Sequence, residues 1–325
     1  MTVSVLRPGL LTTVQDLGRP GFQHLGVVAG GAMDPVSLML ANALVGNSAD
    51  AAVLEITILG PELVFAEEAL VALCGAEFHG GFPRHRPVLV PAGTKVSIGR
   101  AQRGARAYLA VAGGIAVEPA LGSRATYIPG RFGGYQGRAL RRGDVLTLDP
   151  HASIASRQRF ARLKRRKGGS VSWRAPMPTL PEHEPVLVHA MEGPDYESFD
   201  AVSQRAFFDT VWKIAPESNR MGYRLAGPEL ARRGDEILSG PICIGTVQVP
   251  ASGVPIALMA DHQTTGGYPR IAEIASADVP RLAQLAPGGT LHFARCTLET
   301  AVELRKDARQ RLDALLRGIE WELHG

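Results

Sequence analysis

The amino-acid sequence predicts a mainly β protein that is built from two similar domains. The chain has 325 residues, with 37 Gly and 23 Pro, which is long enough for two domains that each bury a core. Between residues 52 and 148, short apolar runs alternate with turns that contain Gly or Pro, and the same rhythm returns after residue 185. Strands spaced this closely are typical of a compact barrel or sandwich rather than of βαβ units.

The N-terminal segment is predicted to contain a short strand, a tight loop and a helix. Glycine and proline within residues 18–21 exclude a long helix there, so the surrounding polar residues are placed on a loop. Asp34 followed by Pro35 is a helix start signal, because Asp caps a helix and Pro suits its first turn. The predicted helix covers residues 36–45 and ends at Gly46.

The remainder of the first half is predicted to be strands joined by glycine-rich loops. The predicted strands are 53–59, 63–65, 69–73, 88–90, 95–98, 107–111 and 145–148. The loops at 113–114 and 133–138 are rich in glycine, but neither has the spacing of a P-loop or of a dinucleotide-binding fingerprint. The sequence therefore predicts no nucleotide-binding fold in this chain.

Composition divides the chain into two domains and a linker. The formal net charge is +4, and most of the excess lies in one basic segment, residues 157–174, which is typical of a solvated face or linker. No zinc spacing and no aromatic platform accompanies it, so nucleic-acid binding is not predicted. The predicted boundaries are 1–150 for the first β domain, 151–185 for a basic, Pro-rich linker, and 186–325 for the second β domain.

The second half is predicted to contain a β-hairpin and a long C-terminal helix. Two apolar runs, 242–249 and 254–259, are joined by the turn Pro250-Ala-Ser-Gly253, which indicates a hairpin with a four-residue loop. A short helix is expected within 195–208. Residues 297–323 follow helical spacing, with Thr300 to Glu303 as a candidate capping box.

The three cysteines indicate neither a disulfide framework nor a metal site. Cys74, Cys243 and Cys296 are odd in number and far apart, and the first two lie in apolar runs. The N-terminus lacks the apolar core of a signal peptide, and no apolar stretch approaches the length of a membrane span. We therefore expect a cytoplasmic location, with no membrane partner.

A polar cluster directly after the hairpin is the candidate site. Asp261 and His262 are followed by amide and hydroxyl side chains and then by Gly266-Gly267, where the backbone is free to adopt positive φ. Such a loop is either a functional site or simple turn chemistry. Upstream, Arg220 and Arg224 flank a glycine turn and either bind an anion or form surface ion pairs.

The string QVPASGVPIALMADHQTTGGYP, with NRMGYRL upstream, closely resembles the family called allophanate hydrolase subunit 2, or biotin-dependent carboxyltransferase-like proteins. The resemblance implies two cyclophilin-like β-barrels. It also implies a role as the C subunit of an ATP-dependent 5-oxoprolinase, which works with a B subunit that resembles a kinase inhibitor (KipI-like) and with a separate A subunit. Two alternatives stay open: a carboxyltransferase-type subunit of urea or allophanate metabolism, with biotin from another chain, or a non-catalytic KipA-like regulator that binds a KipI-like partner.

Under the first interpretation, cleavage of a lactam requires a carboxylate anchor, donors for oxyanion charge and a base for water. With the resemblance, Arg220 is assigned to the anchor, the amides of residues 264–267 to the donors, and Asp261 to the base, on opposite walls of one cleft. Gln248 is either a substrate contact or a structural hydrogen-bonding group. The further substrate-binding candidates are Tyr223, Arg224, Thr264, Thr265, Gly266, Gly267 and Tyr268. No metal site is predicted, and ATP is assigned to the complex without a choice of subunit.

Overall fold

The computed structural model describes residues 1–149, 152–166, 168–177, 185–232 and 237–324. The chain divides into two compact units. The first consists of residues 1–19, 30–179 and 312–325, and the second of residues 20–29 and 180–311. Both units consist mainly of β-strands, which confirms the predicted fold class.

The first unit contains two antiparallel sheets. Its strands are β1 (Thr2–Arg7), β2 (Leu11–Gln15), β3 (Val53–Thr57), β4 (Glu62–Phe65), β5 (Ala69–Phe78), β6 (Pro87–Val90), β7 (Lys95–Ser97), β8 (Ala101–Val111) and β9 (Val145–Thr147). One sheet has the order β7-β4-β1-β9 and the other has the order β2-β3-β8-β5-β6. Each predicted strand of this half therefore exists, with bounds that differ by a few residues.

The five-stranded sheet of the first unit is buried on both faces. Along β5, Val71 and Leu73 belong to the core shared with the other sheet, whereas Ala72 and Cys74 belong to a second core on the opposite face. This second core also holds helix α1 (Pro35–Val45), whose N-terminus is capped by the Asp34 carboxylate as predicted. Successive side chains of a strand point to opposite faces of the sheet, so β5, which is buried on both faces, is apolar at successive positions.

The segment predicted to be a linker contains a helix of the first unit. Helix α2 (Ile154–Lys164) begins at the cap Ser153, and its Leu163 is fully buried in the second core. The side chain of Arg159 donates to the carbonyl of Ala43 and to the carboxylate of Glu320. The observed division thus differs from the predicted one, because this basic helix packs into the core through Leu163, Phe160 and the ion pair of Arg159. The Pro-rich end of the predicted linker, 178–184, lies outside the described residues.

The second unit contains a closed β-barrel with the strand order β10-β17-β14-β15-β12-β11-β18. The strands of this unit are β10 (Val186–Glu192), β11 (Val211–Ile214), β12 (Gly222–Ala226), β13 (Gly240–Pro241), β14 (Thr246–Gln248), β15 (Ile256–Leu258), β16 (Thr265–Gly266), β17 (Arg270–Ile274) and β18 (Thr290–Arg295). The barrel closes through the parallel pair β10–β18. Helices α3 (Ala201–Asp209) and α4 (Val279–Ala283) also belong to this unit, as does the chain from the end of β18 to residue 311.

The predicted hairpin is confirmed in the barrel. Strands β14 and β15 pair antiparallel, with Val247 opposite Ala257, and the amide of Gly253 donates to the carbonyl of Pro250 across the turn at 2.9 Å. The chain on either side forms a second, smaller ribbon, in which β13 and β16 pair through Gly240 and Gly266. We call this two-stranded ribbon the flap.

Helix α5 (Leu298–His324) ends the described chain. Its first turn is capped by Thr297, whose hydroxyl accepts from the amide of Thr300, so the helix begins three residues before the predicted capping box. Residues Leu312, Ile319 and Leu323 belong to the second core of the first unit, and not to the second domain as predicted. Of the helices in the described residues, none is both long enough and apolar enough to cross a membrane.

Candidate functional site

The candidate site lies at one end of the barrel, where strand β15 ends and the chain turns back into the flap. The turn is fixed by backbone hydrogen bonds: the amide of Asp261 donates to the carbonyl of Arg220, and the amide of His262 donates to the carbonyl of Met259. Asp261 and His262 therefore lie in a turn and not on a strand.

Arg220 and Asp261 form a buried ion pair. The Nε and one Nη of Arg220 each donate to a different carboxylate oxygen of Asp261, both at 2.9 Å, and the two side chains are only 5% and 2% exposed. This two-pronged geometry is the strong form of an arginine–carboxylate interaction. The two groups thus contact each other directly, whereas the sequence interpretation placed them on opposite walls of a cleft.

Gln248 lies in the barrel wall beneath the flap. Its side chain is 3% exposed, and among the described residues its amide oxygen has no hydrogen-bond partner. The position that a Cβ would occupy on Gly266 is 3.1 Å from this oxygen, so a glycine is what allows the flap to lie this close to Gln248. A buried acceptor without a donor is unfavourable by about 1 to 3 kcal/mol, which marks this position as a place where a ligand donor would be accommodated.

Gln248 belongs to a line of polar groups that we call the polar row, consisting of Thr246, Gln248 and Glu273. Thr246 lies opposite Glu273 in the β14–β17 ladder, and its hydroxyl is 2.8 Å from the nearer carboxylate oxygen of Glu273. The thiol of Cys243 donates to the same oxygen at 3.6 Å. Burial raises the pKa of the Glu273 carboxyl, and the hydrogen bonds from Thr246 and Cys243 act against that shift.

Glu273 also lines a pocket of about 640 Å³ on the barrel. The other lining residues come from the ends of β10 and β18 and from the start of α5, and they are Met191, Glu192, Arg295, Cys296, Thr297 and Leu298. Among the described residues, the hydrogen-bond donors to the Glu273 carboxylate are thus neutral, unlike the donor to Asp261, and Arg270 acts on Glu273 through its charge without a hydrogen bond. The Glu273 carboxylate opens onto a space where a small molecule fits.

The other predicted site residues are distributed over several surfaces. Tyr223 is 2% exposed inside the barrel, and its hydroxyl donates to the carbonyl of Leu285 at 3.3 Å, which makes it a core residue. Arg224 is exposed and lines a separate groove with Glu217, Asn219 and Ser252. The structure thus brings Arg220, Asp261 and Gln248 to the hairpin and its flap, but leaves Tyr223 and Arg224 apart from them.

The flap carries the remaining candidates. Thr265 and Gly266 form β16, and the carbonyl of Thr264 accepts from the amide of Ile242 at 3.2 Å. Tyr268 is 48% exposed. His262, the neighbour of Asp261, is buried, and burial lowers its pKa while a 2.6 Å contact of Nδ1 with the Gln263 carbonyl acts the other way.

Sequence reasoning missed Glu273, Thr246 and Cys243 as members of this region. One signal was present: Glu273 is the charged residue in the otherwise apolar run Ile271-Ala-Glu-Ile274, and a carboxylate within a buried strand requires an explanation. Its proximity to Thr246 and Cys243 depends on strand pairing across 27 or more residues, which no local pattern reveals.

Comparison with known proteins gives one family and a consistent set of relatives. A family model described as "Carboxyltransferase domain, subdomain A and B" matches residues 25–295. The C subunit of the 5-oxoprolinase of Escherichia coli (strain K12) is 39% identical over 328 residues, which cover 99% of this chain and 99% of that protein. The corresponding protein of Haemophilus influenzae is 35% identical and is matched over 96% of its length.

Among solved structures, the K. lactis urea amidolyase contains a region with the same fold. The match has a TM-score of 0.86 and 32% sequence identity, and it covers 97% of this chain but 20% of that much longer chain. The fold is therefore shared between stand-alone proteins of this length and one part of a large urea-metabolising protein.

Proposed function

The chain belongs to the family of carboxyltransferase domains with subdomains A and B, and on this premise we propose that it is the C subunit of a multi-subunit 5-oxoprolinase. One observation carries the proposal: the match to the C subunit of the E. coli 5-oxoprolinase extends over 99% of both proteins. The match therefore includes both units of this chain and nearly the whole of that relative.

The urea-metabolising relatives support the alternative less well. This chain matches 18% of the urea amidolyase of Lachancea kluyveri and 20% of the K. lactis urea amidolyase. Most of each of those proteins lies outside the matched region, so the match does not support a function that depends on the rest of them. The carboxyltransferase-type role in urea metabolism therefore serves as the second candidate, supported by the common fold.

The proposed reaction converts 5-oxo-L-proline, ATP and two water molecules into L-glutamate, ADP and inorganic phosphate. The lactam C–N bond is broken, and its nitrogen becomes the amino group of glutamate. Phosphoryl transfer from ATP turns the lactam oxygen into a leaving group, which removes the amide resonance that protects the ring. ATP is a substrate of the complex in this proposal, and the A and B subunits are the partners of this chain.

For this chain we propose a substrate-handling role. The polar row supplies hydrogen-bond acceptors, and the flap supplies backbone amides at residues 264–267. The Arg220–Asp261 ion pair holds the base of the flap, because the Asp261 backbone also bonds to the Arg220 carbonyl. A cytoplasmic location is part of the proposal and is supported by three free cysteines, one of which is exposed.

The test is reconstitution of the complex. The chain is purified together with the A and B subunits of the same organism, and ADP release and glutamate formation are measured with and without 5-oxoproline. We expect turnover that requires 5-oxoproline, ATP and this chain. Omission of the chain provides the control, because the A and B subunits alone are expected to form no glutamate.

Two results would overturn the proposal in favour of the alternatives. Turnover that requires urea and a biotinylated protein, without response to 5-oxoproline, would assign the chain to urea metabolism. Stable binding to the KipI-like B subunit without turnover by any mixture would assign it to the regulatory class. If the chain is such a regulator, the Arg220→Ala/Asp261→Leu double variant is expected to change binding to the B subunit only where it impairs folding.

A further inference from the structure

The pocket beside Glu273 has walls of mixed chemistry, with the carboxylates of Glu192 and Glu273, the guanidinium of Arg295 and apolar surface. One side is the half-buried carboxylate of Glu273, the rim carries Arg295, and Met191 and Leu298 provide apolar surface. A site that fixes a small ligand by a few polar groups on an otherwise apolar wall has this composition. All of these residues belong to the second unit.

Glu273 has hydrogen-bonding capacity to spare. A carboxylate offers about four acceptor positions, whereas its partners in the described residues are the hydroxyl of Thr246 and the thiol of Cys243. A hydroxyl and a thiol each supply one proton. The remaining acceptor positions of Glu273 are therefore available to a donor that enters the pocket.

Gln248 is a second buried acceptor of the polar row, and it lies outside the residues that line the pocket. It lies two residues after Thr246 on β14, and its buried amide oxygen is without a donor among the described residues. A buried acceptor without a donor favours a ligand that presents an N–H group at that position. In the part of the chain that the structure describes, neither Gln248 nor Glu273 has a cation as a hydrogen-bond partner.

Arg295 is held in position on the rim. Its guanidinium donates to the carboxylate of Glu192 and, at 2.7 Å, to the hydroxyl of Tyr196, and it lies 4.4 Å from the centre of the Phe208 ring. Arginine has five N–H donors, so these contacts orient the group and leave donors for an anion. Thr297, at the N-terminus of α5, adds the positive end of a long helix nearby.

We infer that this pocket binds the cyclic amide substrate, with the ring N–H donated to Glu273 and the substrate carboxylate bound by Arg295. The ring methylenes then contact Met191 and Leu298. The choice of 5-oxoproline as the lactam rests on the proposed function, whereas the requirement for an N–H donor and an anion rests on the pocket itself. Arg295 thereby takes the anchoring role that the sequence interpretation gave to Arg220.

The experiment compares two probes that differ in one group. Binding of 5-oxo-L-proline and of its lactone analogue, in which a ring oxygen replaces the N–H, is measured by isothermal titration calorimetry on the full chain. The variants are Glu273→Leu, Glu273→Gln and Arg295→Met. Glu303→Leu is the matched control, because Glu303 is an exposed residue of α5 outside the pocket, and thermal melts confirm that each variant is folded.

The wild type and the control are expected to bind the lactam about 10- to 100-fold more tightly than the lactone, the range for one hydrogen bond to a charged group. Glu273→Leu should abolish that preference. Glu273→Gln should retain much of it, because the amide oxygen still accepts. Arg295→Met should weaken both probes by about the same factor, since both carry the carboxylate.

Equal binding of both probes by the wild type, no binding of either probe, or an unchanged lactam preference in folded Glu273→Leu would overturn the inference. The proposed function fails separately. If the reconstituted complex ignores 5-oxoproline while the chain shows a Glu273-dependent preference for the lactam, the pocket is a lactam site and the function is wrong. If a complex that contains the Glu273→Leu variant turns over 5-oxoproline with the KM of the wild-type complex, the proposed function is supported and the pocket assignment is wrong.

Discussion

Asp261 and Glu273 are two carboxylates on the same barrel, and they differ in burial and in the donors that surround them. Asp261 is 2% exposed and meets a guanidinium that donates to both of its oxygens. Glu273 is half-buried, receives only a hydroxyl and a thiol from the described residues, and faces a pocket. Burial raises the pKa of Glu273, because the hydrogen bonds from Thr246 and Cys243 and the charge of Arg270 compensate only in part for the lost water.

The difference shows which carboxylate serves the fold and which is available to a ligand. A carboxylate saturated by an arginine has little capacity for another partner, and removing either member leaves a buried charge. A carboxylate that is held by weak neutral donors retains its acceptor positions. Position after a β-strand, which drew attention to Asp261, is therefore a poorer guide to function than the number of donors already engaged.

The largest effect on stability is expected from breaking the ion pair between Arg220 and Asp261. Arg220→Ala removes the donor pair of a buried carboxylate and should lower the free energy of unfolding by about 3 to 5 kcal/mol, measured by urea denaturation. The matched control is Arg270→Ala, which breaks the more exposed pair with Asp195, where the side chains are 26% and 20% exposed. We expect the control to lose roughly 1 to 2 kcal/mol.

The Arg220→Met/Asp261→Leu double variant separates the net value of the pair from the cost of breaking it. Replacing both charges by apolar groups leaves no buried charge, so the double variant should recover most of the stability that Arg220→Ala loses. A double variant as unstable as the single one would show that the interaction holds the flap in a way that packing does not replace.

A smaller effect is expected when a neutral donor is removed from Glu273. Thr246→Val keeps the shape of a fully buried side chain but deletes the hydroxyl, and it should lower the free energy of unfolding by about 1 to 2 kcal/mol at pH 7. The loss should shrink toward pH 4, because a protonated Glu273 depends less on the donor. A loss independent of pH would mean that the hydroxyl serves packing only.

The smallest effect, of opposite sign, is expected for Glu273→Gln. Because the folded-state pKa of Glu273 is raised, the unfolded chain releases its proton first as pH rises, so the wild type loses stability above the ordinary Glu pKa. The glutamine variant lacks this penalty. It should be more stable than the wild type by about 0.5 to 1 kcal/mol at pH 7, a value reduced for partial exposure, and the two should converge near pH 4.

A wild type that is more stable than Glu273→Gln at pH 7 would contradict the account, since it would mean that the carboxylate is well paired. Denaturation at several pH values distinguishes the two outcomes. Glu303→Gln on the exposed face of α5 is the control, and its stability should follow that of the wild type at every pH.

The residues that begin helices and form turns made much of the fold predictable. The start of α1 followed from Asp34 and Pro35, and the β14–β15 hairpin followed from a turn between two β-branched runs, because caps and turns require particular residues at particular positions. Helix α2 was missed because its basic sequence resembles a linker. Its burial depends on partners as remote as Glu320, which is 161 residues from Arg159.

The site was predictable in part and for a similar reason. The sequence identified Arg220, Asp261 and Gln248 as unusual, and the structure brings all three to the hairpin and its flap. The sequence did not reveal that Arg220 and Asp261, which are 41 residues apart, bind each other. The sequence also did not reveal that the pairing of β14 with β17 places Thr246 against Glu273. The pairing of distant strands decides which polar groups find a hydrogen-bond partner, and no local pattern shows that pairing.

The most direct test of the account is carbon-13 NMR of the side-chain carboxyl groups during titration with 5-oxo-L-proline. Signals are assigned with Glu273→Gln and with Asp261→Asn, provided that each variant folds. We expect the Glu273 carboxyl signal to move on titration while the Asp261 signal stays in place. A titrating Asp261 signal with a static Glu273 signal would contradict it.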